Sequence, residues 1–134
     1  MRYLGIDFGA KRIGLAISDE AGQYSFPFLV MANRKGVVPE IAKICIENKV
    51  ESIVVGESRN FSLIENDIMK QIHPFIGELK EITHLPIYTH PEFLTSVEAR
   101  RIQGENDMND ASAAALILKS YLESRKVSGR GEDV

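Results

Sequence analysis

The sequence is poor in several residue types, and each scarcity excludes a class of protein. It has one cysteine, Cys45, no tryptophan and five prolines among 134 residues. A single cysteine cannot form an intramolecular disulfide, which excludes a disulfide-stabilised secreted domain and favours a reducing compartment. No apolar run approaches the ~18 residues that a membrane-spanning helix needs, and the first residues are strand-like rather than a signal peptide. We therefore expect a cytoplasmic protein with no membrane partner.

Strong charge of one sign is also lacking. The formal net charge is −3 at pH 7, which disfavours a protein that coats nucleic acid by bulk charge. Any contact with nucleic acid must then come from a local site. The length favours one domain, which we place at residues 1–124. Residues 125–134 are expected to be a disordered tail, because the ending VSGRGEDV has too few apolar residues to pack.

What the sequence does contain is a clear alternation of strands and helices. The segment YLGIDFGAKRIGLAIS, residues 3–18, predicts a hairpin of two strands around the turn Gly9-Ala10-Lys11. Pro27 favours an edge or irregular position for the third strand. Helices and strands alternate after this meander. The pattern therefore predicts an α/β protein with a mixed five-stranded sheet, its first three strands antiparallel, and helices on both faces.

The later elements are predicted from buried runs and capping boxes. They comprise a strand over 51–55, a helix over 62–82, a strand over 85–89, and helices over 95–102 and 110–123. The predicted order is β-β-β-α-β-α-β-α-α.

Three acids occupy unusual positions in this arrangement. Asp7 lies in the middle of the first strand, Glu92 lies just past the strand over 85–89, and Asp110 begins the last helix. If the first strand is central, these carboxylates can converge at one edge of the sheet. Convergent carboxylates repel one another unless protons or cations compensate them, and hard oxygen ligands favour Mg²⁺ or Mn²⁺. Two such ions ~3.5–4 Å apart would suit phosphodiester cleavage.

Each acid also has a simpler interpretation. Asp110, beside Asn109, could cap its helix. Glu92 could be a solvated loop acid. Asp7 is harder to explain in this way, because its neighbours are apolar and burial of an uncompensated carboxylate is costly. From spacing alone, the metal site and these alternatives all remain open.

Three segments resemble the YqgF-type (RuvX) family, relatives of the Holliday junction resolvase RuvC with a ribonuclease H-like fold. YLGIDFGAKRIGLAIS is similar to the family's opening hairpin, HPEFLTSVEARR to its middle motif, and NDASAAALILKSYLE to its last helix. The resemblance covers nearly the whole predicted domain. It implies a metal-dependent nuclease in which Asp7, Glu92 and Asp110 are the catalytic, metal-binding acids.

The resemblance implies a hydrolase that processes the 5′ end of precursor 16S ribosomal RNA in ribosome biogenesis, with cleavage of branched DNA as the alternative. A non-catalytic module that binds RNA or a ribosomal partner is a further alternative. The opening Gly-Ile-Asp-x-Gly pattern also occurs in actin-like ATPases, but that architecture needs two such domains and this chain has length for one. The sequence leaves the oligomeric state open.

Other residues are candidates for the same site. Lys11 and Arg12 follow the acid-bearing strand and could hold phosphate, or could be part of a solvated turn. Asn60 could contact a phosphate or cap the helix that begins at Ser62, and capping is the simpler interpretation. Glu57 follows the buried strand where the wider ribonuclease H-like group commonly has a metal-binding acid; its alternative is a solvated glutamate. The middle motif departs from the family at Pro91 and Phe93, which replace an Asp and an Arg.

Overall fold

The computed structural model describes residues 1–58, 67–92 and 108–128. Within these ranges the chain forms five strands and three helices, in the predicted alternation. The elements are β1 (Tyr3–Phe8), β2 (Arg12–Ser18), β3 (Ser25–Ala32), α1 (Val37–Glu47), β4 (Ser52–Ser58), α2 (Asp67–Thr83), β5 (Ile87–Glu92) and α3 (Met108–Ser128). None of these described helices has the length and apolar character needed to cross a bilayer. The helix predicted over 95–102 lies outside the described residues.

The strands form one sheet in the order β3-β2-β1-β4-β5. The pairs β1–β2 and β2–β3 are antiparallel, whereas β1–β4 and β4–β5 are parallel. This confirms the predicted mixed sheet with an antiparallel meander. Because β1 is the central strand, the carboxyl ends of β1, β4 and β5 meet at one edge, which is where open α/β sheets place their sites.

The β1–β2 hairpin is held in place by the segment that joins β3 to α1. The Asn33 backbone N–H donates to the Lys11 carbonyl (2.9 Å), and its Nδ2 donates to the Gly9 carbonyl (2.7 Å). Both ends of the turn after β1 are therefore tied to one residue. In the hairpin register, Asp7 pairs with Gly14.

The two faces of the sheet have different packing. Under α1 and α2 lies a cluster of large aliphatic and aromatic side chains, among them Leu4, Ile6, Phe8, Ile13, Leu15, Ile53, Val55, Phe75 and Leu79. The face under α3 is built around smaller strand residues, and its cluster comprises Tyr3, Ala16, Val54, Ala114, Ile117, Leu118 and Leu122. Strand alternation assigns Asp7 to the α3 face, since Leu4, Ile6 and Phe8 occupy the other.

Both edge strands contain a proline. Pro27 lies in β3, opposite Ala16, next to a register shift between Leu15 and Ala16. The predicted irregular edge position of this strand is thus confirmed. Pro91 lies in β5, opposite Glu57. Proline is tolerated at both places because an edge strand has one side without ladder partners.

Several boundaries differ from those predicted. Strand β4 runs from Ser52 to Ser58, so Glu57 lies within the strand instead of following it. Strand β5 begins at Ile87 and extends through Glu92, so Glu92 ends the strand instead of following it; pairing with Ser58 continues the ladder past Pro91. Helix α3 continues to Ser128, so the predicted tail at 125–134 begins too early. The segment ESRK after Leu122 is rich in helix formers, and helical propensity there outweighs the lack of apolar residues. Residues 129–134 lie outside the described part of the chain.

Candidate functional site

The candidate site lies at the carboxyl end of β1. Asp7 is half-buried on the α3 face of the central strand, and its partner across the ladder is Gly14. Directly paired residues in an antiparallel ladder have Cα atoms ~4.5–5.5 Å apart. The absence of a side chain at Gly14 therefore opens space immediately beside Asp7.

The start of α3 fills that space. A Cβ placed on Gly14 would overlap the carbonyl oxygen of Asp110 and would lie 3.0 Å from the Ala111 nitrogen. The first turn of α3 thus rests directly on the backbone of β2. As a result, one glycine residue separates Asp7 from Asp110, although the two acids are more than one hundred positions apart in the sequence. The start of α3 and the carboxyl end of β1 therefore lie at the same place in the fold, and convergence of the two carboxylates stays a prediction.

A cation adjoins Asp110. The Arg12 Nε lies 3.0 Å from Asp110 Oδ2, with the two side chains 56% and 32% exposed. This partial exposure means that water screens the pair, which limits its contribution to stability. Lys11, in the same turn, is exposed.

The third acid reaches the same edge through the parallel strands. Gly56 pairs with His90, and Ser58 pairs with Glu92. His90 contacts α3 through its ring, so strand alternation assigns Glu92, two residues further on, to the α3 face as well. The side chain of Glu92 is outside the described part of the structure. Backbone position therefore places Glu92 on the same face and at the same end of the sheet as Asp7.

Two further predicted site residues, Glu57 and Asn60, are not part of this arrangement as far as the structure describes it. Gly56 faces Ile117 of α3, so alternation assigns the next position, Glu57, to the opposite face, under α1 and α2. The Glu57 side chain is not described. Asn60 lies outside the described residues.

The donor set has the chemistry of a hard divalent cation site. Asp7 and Asp110 contribute carboxylate oxygens, the ligands preferred by Mg²⁺ and Mn²⁺. Among the side chains that the structure describes, no group of three or more His, Cys, Asp or Glu residues is close enough to hold an ion.

Comparison with known proteins identifies the family. A family model described as RuvX, Holliday junction resolvase, matches residues 1–124. The chain belongs to the RuvX family. A relative from Nitratidesulfovibrio vulgaris (strain Miyazaki F), named as a candidate pre-16S rRNA nuclease, is 35% identical over 127 residues, covering 93% of this chain and 86% of the relative. A relative of the same name from Oleidesulfovibrio alaskensis is 33% identical, covering 98% of this chain and 100% of the relative.

Solved structures agree with the RuvX assignment at the level of fold. RuvC from Thermus thermophilus, solved with a Holliday junction substrate, superposes with a TM-score of 0.63 at 16% identity, covering 94% of this chain and 96% of RuvC. The fowlpox virus resolvase, solved with Holliday junction DNA, gives a TM-score of 0.58 at 12% identity, covering 92% and 98%. These similarities confirm the predicted ribonuclease H-like fold.

Sequence reasoning missed several residues that shape this RuvX site. Gly14 allows α3 to pack directly against the backbone of β2. Asn33 fixes the turn after Asp7 through two hydrogen bonds. A glycine within an otherwise alternating strand is a signal of close backbone approach and could have identified Gly14. No sequence pattern indicates Asn33, because its two hydrogen bonds join segments that are distant in the chain.

A cluster on α3 and β5 was also missed. His90 Nε2 lies 2.9 Å from Ser120 Oγ, and its ring meets Tyr121 edge-on, with centroids 5.9 Å apart. Burial lowers the pKa of His90, since an apolar environment disfavours the charged imidazolium. The sequence predicts a surface or packed histidine; the structure adds its partners.

Proposed function

We propose that this RuvX protein is a metal-dependent nuclease that processes the 5′ end of precursor 16S rRNA in the cytoplasm. The observation that carries the proposal is the position of Gly14, which pairs with Asp7 across the hairpin and contacts the Asp110 backbone. The RuvX family assignment and the names of the two relatives support rRNA as the substrate.

Each residue of the site has a role in this proposal. Asp7, Glu92 and Asp110 would hold two Mg²⁺ or Mn²⁺ ions. Bound there, the ions would supply electrophilic assistance at the phosphate and lower the pKa of the attacking water. The chain's own contribution is to fix the acids: Gly14 sets the depth of α3, and the turn before β2 keeps Asp7 at the exposed end of its strand.

Substrate contacts are proposed for the cations beside the acids. Lys11 is exposed and could contact a phosphate next to the scissile bond. Arg12 is paired with Asp110 and could move to the substrate once cations neutralise that carboxylate. Asn60 remains a proposed phosphate contact. For Glu57, the alternation of β4 assigns this position to the face opposite Asp7, which argues against a role as a metal ligand.

A DNA endonuclease is the second candidate, because the matching family model carries the description Holliday junction resolvase. A non-catalytic RNA- or ribosome-binding module is less consistent with the site. Two adjacent carboxylates repel each other and lower stability, and a binding module has no need of that cost.

The test uses purified protein with precursor 16S rRNA and, separately, a four-way DNA junction. Each substrate is incubated with Mg²⁺, Mn²⁺ or EDTA. We expect metal-dependent cleavage of the RNA at its 5′ side and none in EDTA. Cleavage of the junction alone would favour the DNA enzyme. Cleavage of neither substrate would contradict the nuclease proposal.

A further inference from the structure

An ordered group of aromatic side chains lies on the same face of the sheet as the candidate site. Tyr88 of β5 stacks on Tyr121 of α3, with ring centroids 5.6 Å apart and an interplanar angle of 23°. Tyr121 also packs against Tyr3, with ring centroids 5.9 Å apart, and meets the His90 ring edge-on. We call Tyr88, His90 and Tyr121 the aromatic platform.

The platform is rigid but accessible. His90 is fixed by its bond to Ser120 Oγ (2.9 Å), and Tyr121 is held between three rings. Tyr88 nevertheless remains 43% exposed on the edge strand. An exposed ring with a fixed orientation can bind a flat partner at a low cost in conformational entropy.

The position of the platform indicates what that partner is. Tyr88, His90 and Glu92 occupy alternate positions of β5, so they form a row that ends at the proposed acid of the site. Four residues of strand span ~13 Å. A nucleic-acid strand whose phosphate lies at the acids could therefore place a nearby base over Tyr88.

Local charge is consistent with a nucleic-acid partner. Residues 119–126 of α3 include three basic residues, Lys119, Arg125 and Lys126, against one acid, Glu123. The Arg125 guanidinium lies 5.7 Å from the centre of the Tyr3 ring, beside the platform. This basic segment contrasts with the chain's overall charge of −3.

We propose that the aromatic platform is a stacking site for an unpaired base of the substrate strand, close to the bond that is cleaved. The inference rests on the proposed nuclease function and adds a preference for substrates that are single-stranded on this side. Aromatic stacking is a common means of holding unpaired bases, in RNA and in DNA.

The test measures binding to an oligouridylate that carries one 2-aminopurine, whose fluorescence is quenched by stacking. It is made with Mg²⁺ present, and gels confirm that the probe stays intact. We expect quenching with the wild type and with Tyr88→Phe, which keeps the ring. Tyr88→Leu should lose the quenching and bind about 5- to 100-fold more weakly. Tyr24→Leu is the matched control, because Tyr24 is 64% exposed near the opposite edge strand.

Comparison with an oligothymidylate probe shows whether the site prefers RNA or DNA. A fully paired RNA duplex, in which the probe base is already stacked, should show no further quenching when the protein is added. If Tyr88→Leu binds and quenches like the wild type, or if Tyr24→Leu weakens binding equally, the stacking site is wrong. Cleavage assays on the same preparations separate the two proposals. A wild type that quenches through Tyr88 but cleaves neither substrate contradicts the nuclease function and retains the stacking site. If the wild type cleaves but its quenching and binding do not depend on Tyr88, the nuclease function is retained and the stacking site is wrong.

Discussion

Gly14 and Leu15 are neighbours on β2, yet they belong to two different environments. Leu15 is fully buried in the aliphatic cluster under α1 and α2. Gly14, on the opposite face, has the Asp110 backbone where a side chain would be. We call the face under α1 and α2 the thick face, because large side chains fill it. We call the face under α3 the thin face, because the helix lies close to the strands there.

This difference separates stability from the site. The thick face buries most of the large apolar side chains, and apolar burial is the main stabilising term. The thin face gives up part of that burial, since Gly5, Gly14 and Gly56 contribute no side chain. In return, α3 lies close to the strands, and its backbone at Asp110 contacts Gly14. Substitutions on the two faces should therefore differ in kind as well as in size.

The largest effect is expected for Asp7→Asn, on the thin face. Cleavage should fall to background, because the central carboxylate is lost, while the protein stays folded. Without metal the variant should be slightly more stable, since repulsion from Asp110 is reduced. Cleavage assays and thermal unfolding measure the two outcomes. Full activity in a preparation free of contaminating nucleases would show that Asp7 is not catalytic.

Leu15→Ala should damage the thick face alone. The cavity left behind should lower the free energy of unfolding by about 2–5 kcal/mol. At temperatures where the variant is folded, cleavage should remain near the wild-type rate, because Leu15 faces away from the acids. Urea unfolding gives the first quantity and single-turnover cleavage the second. Loss of cleavage in the folded variant would mean that the two faces are not independent.

Gly14→Ala should have the opposite effect to Leu15→Ala, with a larger loss of cleavage than of stability. A methyl group there would overlap the Asp110 carbonyl, so α3 must shift at a cost of about 1–3 kcal/mol. Cleavage should fall further than the folded fraction does, because the shift separates Asp110 from Asp7.

The matched control for this substitution is Gly77→Ala. Gly77 lies in α2, and a Cβ there meets no atom within 4 Å. This variant should be about 0.5–1 kcal/mol more stable than the wild type, with unchanged cleavage. Equal activity of the two alanine variants would contradict the role assigned to the close approach at Gly14.

Arg12→Ala tests the cation of the thin face. Its half-exposed ion pair with Asp110 should contribute less than about 1 kcal/mol to stability. Removing a positive charge that competes with metal should make Mg²⁺ binding about 2- to 10-fold tighter by calorimetry. Lys11→Ala is the control, since the Lys11 side chain makes no ion pair in the described part of the structure. Weaker metal binding in Arg12→Ala would indicate that Arg12 orients Asp110 for the metal.

The smallest effect is expected for Glu57→Gln. Alternation assigns this position to the thick face, so the metal dependence of cleavage should not change. A metal titration of cleavage measures this. If Glu57 is a ligand, or a partner of one, metal affinity or activity should instead fall by about 10- to 100-fold.

The sequence was sufficient to predict the sheet, because the sheet depends on local patterns. Alternation in residues 3–18 specifies the hairpin, and the apolar context of Asp7 marks it as unusual. The contact between Asp110 and Gly14 could not be predicted from periodicity. It depends on the depth at which α3 packs, which is set by many side chains together. The same applies to the hydrogen bond between His90 and Ser120, two residues that are thirty positions apart in the sequence.

Boundaries were the other limit. Proline usually ends or interrupts a strand. At Pro91 the strand continues to Glu92 because β5 is an edge strand. The end of α3 was placed too early because apolar content was used as the criterion, whereas helix propensity extends the helix to Ser128.

The prolines at the two margins of the sheet have a consequence for self-association. Pro27 and Pro91 each remove one main-chain donor from a strand with an open side. Another chain adding itself as a sixth strand would find an interrupted ladder at either margin. Growth into a continuous intermolecular sheet by addition at these two edges is thereby disfavoured.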